Sequence, residues 1–145
     1  ANVATVTQAA QRYQGRQHKL LVRVQRDPSK LPVAGVWWSN GSSATTELYQ
    51  PQMPHVADHE FAHDLTLRVN PAAGQRLGNT IVANQSNPAV FPSSYARSRV
   101  PEAMAEALST WAEKVARPGQ AATYNPPAPV VADLQPFLAD GLKNR

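Results

Sequence analysis

The chain has 145 residues, 42% of them hydrophobic, which is enough for one core-bearing domain and leaves little room for a second. It contains no cysteine, so disulfide frameworks, thiolate nucleophiles and cysteine-ligated zinc knuckles are excluded. The net charge is +4, but the basic residues (Arg12, Arg16, Lys19, Arg23, Arg26, Lys30, Arg97, Arg99) are scattered and not interleaved with aromatics, so they read as a solvated surface and nucleic acid is not an expected partner.

In chain order, Val3 to Tyr13 carries Val6, Ala9, Ala10 and Tyr13 at helical spacing and is stopped by Gly15. Lys19 to Gln25 alternates apolar and charged residues and predicts a strand; Leu31 to Ser39 predicts another, running directly into Asn40-Gly41, a signal for a tight hairpin. Thr45 to Tyr49 is the returning strand, so the first third reads as a small antiparallel sheet beside a helix. From His55 the period becomes helical, with Val56, Phe61, Leu65 and Val69 mainly on one face until Asn70-Pro71. Residues 72–91 read as a partly ordered loop with a short helix. A clear helix starts near Pro101 and runs through Met104, Ala105, Leu108, Trp111 and Val115 to Pro118-Gly119. Residues 118–129 hold four prolines and predict an extended connection to a last helix over Val130 to Leu142, kinked near Pro136. Residues 1–145 are thus expected to form one domain. No apolar run reaches the roughly 20 residues that span a bilayer. The start, Ala1-Asn2-Val3-Ala4, lacks both a leader pattern and methionine, so a mature or excised domain is expected.

The chemistry-bearing motif is His59-Glu60-Phe61-Ala62-His63. On a helix, two imidazoles four residues apart project from one face and can take neighbouring corners around one metal ion. Glu60, one step on, stands beside that ion and is placed to take a proton from the attacking water and pass it to a leaving amine. Imidazole and carboxylate ligands with one open position suit Zn2+. A catalytic zinc needs a third protein ligand, and the helix beginning near Pro101 offers Glu102, Glu106 and Glu113.

Together with Ser94-Tyr95-Ala96-Arg97 and Glu102-Ala103-Met104-Ala105-Glu106, this motif resembles the anthrax lethal factor type of metalloprotease domain and the related Pro-Pro endopeptidases. The resemblance covers roughly residues 55 to 112. The chain departs from it at Ala62, where relatives usually carry glycine, and at Ala103-Met104, where they carry an aromatic pair. The resemblance implies that Glu102 is the third ligand, that Tyr95, seven residues earlier, faces the reacting oxygen, and that Glu106 is a carboxylate behind the ligands. One turn after Glu102 on the same face, Glu106 can reach the free nitrogen of a liganding histidine. Tyr95 can donate a hydrogen bond to the oxyanion of the attacked carbonyl.

Of the remaining candidates, His55 reads as a helix-start or cleft-rim histidine, because a third ligand one turn earlier on the same helix closes a tetrahedron poorly. His18 reads as a surface residue, and Asp58 and Asp64 as solvent-facing. Trp37 and Trp38 are adjacent on a strand, so one faces in and one out. The segment Val33 to Leu48 is the candidate edge for a protein or peptide substrate bound in extended form. The expected fold is α+β and, by the resemblance, zincin-like, with the H-E-x-x-H motif on one helix and the third ligand on a second. The expected activity is zinc-dependent endopeptidase. The resemblance further implies a bacterial protein, secreted or delivered to another cell, as an effector or toxin domain; an inhibitor or immunity partner is not readable. The alternatives are an inactive zinc-stapled interaction module and a basic surface-binding domain carrying a fortuitous motif.

Overall fold

A computed structural model describes residues 18–22, 35–49, 54–116, 119, 121 and 123–138. The helix expected over Val3 to Tyr13 lies outside them, as do the ends of the first two expected strands. The architecture is α+β. Strands β1 (His18–Val22), β2 (Gly35–Ser39) and β3 (Ala44–Leu48) form one sheet in the order β1-β3-β2. The hairpin β2–β3 is antiparallel, as expected, with Gly35 opposite Leu48 and Ser39 opposite Ala44. Its connection is the four residues Asn40–Ser43 and not a two-residue turn. The Asn40 side-chain oxygen accepts from the Ser42 and Ser43 amides at 3.2 and 2.9 Å, and Gly41 takes φ +98°. The expectation of a wholly antiparallel sheet is corrected at β1. It pairs in parallel with β3, His18 opposite Ala44 and Val22 opposite Leu48. Alternation along a strand marks which face is buried, not which neighbour it takes or in which direction.

Helix α1 (Pro54–Asp64) continues into a wider π turn over Leu65–Val69, closed by the Asn70 amide on the Leu65 carbonyl at 2.9 Å. The expected apolar face is present, with Phe61 and Leu65 fully buried. The opposite face is buried as well, because the helix lies between the sheet and a second helix. The stretch expected to be a partly ordered loop with a short helix carries a longer one, the 13-residue helix α2 (Pro71–Ala83). Asn70-Pro71, read only as a stop, also starts it: the Asn70 side chain caps the Ala73 amide at 3.2 Å and Pro71 takes a first-turn position. Gly74 and Gly78 lower helix propensity by about 1 kcal/mol each relative to alanine, yet both are buried and allow close packing. Helix α3 (Val100–Ala116) follows two short 3-10 turns, Pro88–Val90 and Tyr95–Arg97. Helix α4 (Ala128–Phe137) contains Pro136 near its end; the rest of the expected terminal helix, past Leu138, lies outside the described residues.

One apolar cluster joins these elements, from Leu48 through Phe61, Leu77, Ile81 and Leu108 to Val130, Leu134 and Phe137. Tyr124 closes it at the side, its hydroxyl donating to the Val90 carbonyl at 2.9 Å. Full burial of a side chain the size of Leu or Phe contributes about 1.5–3 kcal/mol, so this cluster holds α1 against α3 whatever their polar faces do. No helix among the described residues is long and apolar enough to cross a membrane.

Candidate metal centre

Helices α1 and α3 pack against each other with two polar rows in register. His55, His59 and His63, each four residues from the last, form one row on α1; Glu102, Glu106 and Glu113 form the other on α3. His59 Nε2 lies 2.8 Å from Glu102 Oε2, and His63 Nε2 lies 3.3 Å from Glu102 Oε1. The donor atoms of His59, His63 and Glu102 all fall within 4.8 Å of one another, close enough to hold a metal ion. The three predicted ligands therefore converge. Glu106 also takes its predicted place, with Oε2 at 2.8 Å from His59 Nδ1, the nitrogen not facing Glu102.

His55 is more than a rim residue. It stands at the start of α1, but its Nε2 contacts Glu106 Oε2 at 2.6 Å and its Nδ1 contacts Glu113 Oε1 at 2.8 Å. His55, His59 and Glu106 make a second group close enough to hold an ion. Ser93 Oγ, in the loop before α3, donates to Glu106 Oε1 at 3.0 Å.

The donor set suits a cation. Carboxylates only accept hydrogen bonds, and a neutral imidazole has one N–H to give. His59 faces a carboxylate oxygen with both nitrogens, so either an imidazolium or a metal ion on one side is required to satisfy it. In the metal-free protein the proton supplies that charge. Burial pulls the His59 pKa down, but hydrogen bonds to Glu102 and Glu106 and the nearby Glu106 and Glu60 charges outweigh it, raising it to about 9. Glu102 is held well below the ordinary carboxylate range by its hydrogen bonds to His59 and His63. Glu106 is held down too: burial opposes ionisation, and hydrogen bonds from His55 and His59 prevail. His63 Nδ1 is buried and has no hydrogen-bond partner among the described residues, so its Nε2, facing Glu102, is its one engaged nitrogen.

Glu60 lies in the same wall of α1 and is 7% exposed. Burial pushes its carboxyl upward, partly offset by His59 and His63. Strand β2 comes close at this point because Gly35 has no side chain: a Cβ there would stand 3.3 Å from Glu60 Cγ and 2.9 Å from Val56 Cγ1. Tyr95 stands beside His59, its ring centroid 5.8 Å from that of the imidazole. Its hydroxyl is pushed up to about 12 by burial, the Glu102 charge and a hydrogen bond with Glu102. Tyr95 is therefore a protonated donor at neutral pH, beside the converging ligands.

Two expectations are corrected nearby. Asp58 and Asp64 do not face solvent; both are buried. Asp64 accepts from Arg68 Nε at 2.6 Å and Nη2 at 2.8 Å, and from Trp37 Nε1 at 3.1 Å. Asp58 lies against Glu113, whose carboxyl is raised chiefly by burial, with Asp58 acting in the same direction. Trp37 is the inward tryptophan, stacked near His63 with centroids 6.1 Å apart, while Trp38 points out. Trp37, Ser93 and Gly35 also shape the centre without a sequence signal for it, while Glu113, a candidate ligand by sequence, and His55, a rim residue by sequence, contact each other and brace Glu106 through His55. The histidine row at i, i+4 and i+8 was the available signal for His55.

The chain matches no protein-family model, no curated protein and no solved structure.

Proposed function

We propose that this chain is a zinc-dependent endopeptidase of zincin-like fold that hydrolyses internal peptide bonds of a protein substrate. The observation that carries the proposal is the convergence of His59, His63 and Glu102, with Glu60 and Tyr95 flanking them. His59, His63 and Glu102 would hold the ion. Zinc bound there supplies a Lewis acid for the substrate carbonyl and lowers the pKa of the attacking water. Glu60 takes the proton of that water and returns it to the leaving amine. Glu60 is buried in the wall of α1 beside both histidines, where it can reach that water. Tyr95 keeps its proton, is 55% exposed and donates to the oxyanion as it forms. Glu106 holds His59 from behind.

The substrate lies extended along β2. Among the described residues β2 pairs only with β3, leaving its other edge for backbone hydrogen bonds. Gly35 abuts Glu60 and Trp37 abuts His63, so a peptide on this edge runs beside both residues. Trp38, 45% exposed, forms a subsite wall. By the resemblance to toxin-type proteases, the proposal extends to a secreted or delivered bacterial effector.

The test is metal analysis of protein purified without added zinc, joined to cleavage profiling on a peptide library. One equivalent of zinc and a defined cleavage pattern are expected. Glu60→Gln should keep the zinc and lose at least about a hundredfold in turnover; undiminished turnover would refute the general-base role. A second reading, a zinc staple between helices, draws on the His–Glu contacts that join α1 to α3. Zinc-dependent folding with an uncleaved library would favour it.

A further inference from the structure

The contacts between α1 and α3 continue past the three ligands as a chain of alternating groups. Glu113 Oε1 meets His55 Nδ1 at 2.8 Å, His55 Nε2 meets Glu106 Oε2 at 2.6 Å, and that same oxygen meets His59 Nδ1 at 2.8 Å. Ser93 Oγ holds the other Glu106 oxygen at 3.0 Å. A carboxylate on a flexible side chain has several rotamers, and its value as a support for a metal ligand depends on being held in one of them. Here Glu106 is held from three directions, and the ring that holds it most closely, His55, is itself oriented by Glu113.

We propose that His55 and Glu113 are positioning residues for the metal centre, fixing Glu106 so that His59 presents Nε2 to the ion. This rests on His59 being a ligand, as in the function proposed above. The same residues could be taken for a second metal site, since His55, His59 and Glu106 lie close together. The part His59 plays argues against that: with Nε2 turned to Glu102 and the first ion, it would have to bind a second ion through Nδ1 and give up its remaining proton.

The experiment measures Zn2+ affinity by competition with a chromophoric chelator, and the visible spectrum of the Co2+-substituted protein, for the full chain and for His55→Ala and Glu113→Gln. The wild type should bind one equivalent. His55→Ala should bind it about tenfold or more weakly, with an altered Co2+ spectrum, while its circular dichroism shows a folded chain. Glu113→Gln, which keeps the side chain's shape, should weaken binding in the same direction and carries the test if His55→Ala does not fold. A role confined to stability would move the melting temperature and leave the Co2+ spectrum unchanged. Wild-type affinity and spectrum in the folded variants would overturn the proposal, as would a second equivalent of zinc lost specifically in His55→Ala. A wild type that takes up no zinc would instead refute the proposed function, and this inference with it.

Discussion

Two glycines one turn apart in α2 predict different outcomes for the same substitution. Helix propensity alone favours alanine over glycine by about 1 kcal/mol at either position. A Cβ on Gly74, however, would stand 1.9 Å from the Thr66 carbonyl oxygen and 2.8 Å from its carbon, and real Cβ contacts essentially never fall below 3.0 Å. The obstacle is backbone belonging to the π turn after α1, so no side chain can rotate away; α2 must move by about an ångström or the turn must rebuild. Overpacking of this kind costs roughly 1–3 kcal/mol and occasionally more, and the rigid partner places Gly74→Ala at the upper end, a net loss of about 2–3 kcal/mol after the propensity gain. At Gly78 the new Cβ meets Met104 Sδ at 3.1 Å and Val100 Cγ1 at 3.4 Å. A thioether with several soft torsions yields by tenths of an ångström, so Gly78→Ala should stay within about 1 kcal/mol of wild type. Urea unfolding of both variants, with the slope checked for two-state behaviour, measures the difference. If Gly74→Ala matched wild type, or if the two variants lost equal stability, the close approach of α2 to the π turn would be wrong.

Arg68→Met should destabilise the fold by about 3 kcal/mol, because it removes the guanidinium that pairs with the fully buried Asp64 carboxylate. Trp37 still donates to that carboxylate. The double variant Asp64→Asn/Arg68→Met should recover much of the loss in urea unfolding, and a mild single variant would remove the buried ion pair from the account. Tyr124 gives a pH test. Burial, with the Glu106 charge acting in the same direction, raises its hydroxyl above the ordinary value of 10. The folded state therefore keeps the proton after the unfolded chain has released it. This contribution is complete below pH 10 and declines as pH rises toward the folded pKa, by up to about 1.4 kcal/mol per pH unit. Tyr124→Phe loses the hydrogen bond to Val90, about 1 kcal/mol at neutral pH, but escapes the decline. The stability gap between variant and wild type should narrow between pH 9 and 11, and a constant gap would contradict the linkage.

The parts of the fold legible in the sequence were those with a local cause. The period of α1 and α3, the Asn40-Gly41 hairpin and the alternation of β3 follow from neighbouring residues. The features missed have distant causes. β1 takes a parallel partner, which its own side-chain pattern does not encode. The length of helix α2 is obscured because Gly74 and Gly78 read as weak helix formers, and the reason for Gly74, the Thr66 backbone across the packing interface, is distant in the chain. At the site, His59 and His63 share a face as their spacing implies, and Glu102, Glu106 and Tyr95 stand close to them, as the resemblance implies. His55 reads as a helix-start or cleft-rim residue from its own helix alone, because its partners, Glu106 and Glu113, lie on another helix. Asp64 was given to solvent because nothing local showed that Trp37 and Arg68 would enclose it, although Arg68 stands one turn away on the same helix.

The interface between α1 and α3 joins two kinds of surface with different energetic meaning. Phe61, Leu65 and Leu108 gain from leaving water, and the packing of the helices needs nothing more. Apart from the partly exposed His55, the histidine and glutamate rows are also largely removed from water, and such pairs often cost as much to desolvate as their attraction returns, so apolar residues of similar volume would hold the helices at least as well. Stability therefore gives no reason for six ionisable side chains to face each other here. The metal coordination we propose would. Carboxylates on either side of His59, with His63 turned toward Glu102, form a cluster whose electrostatics call for positive charge at the point where three donor atoms meet. A proton can provide that charge, at the expense of the lone pair on the very nitrogen that faces Glu102. A divalent cation satisfies both carboxylate and imidazole at once, and leaves Glu106, His55 and Glu113 to hold the ring in place.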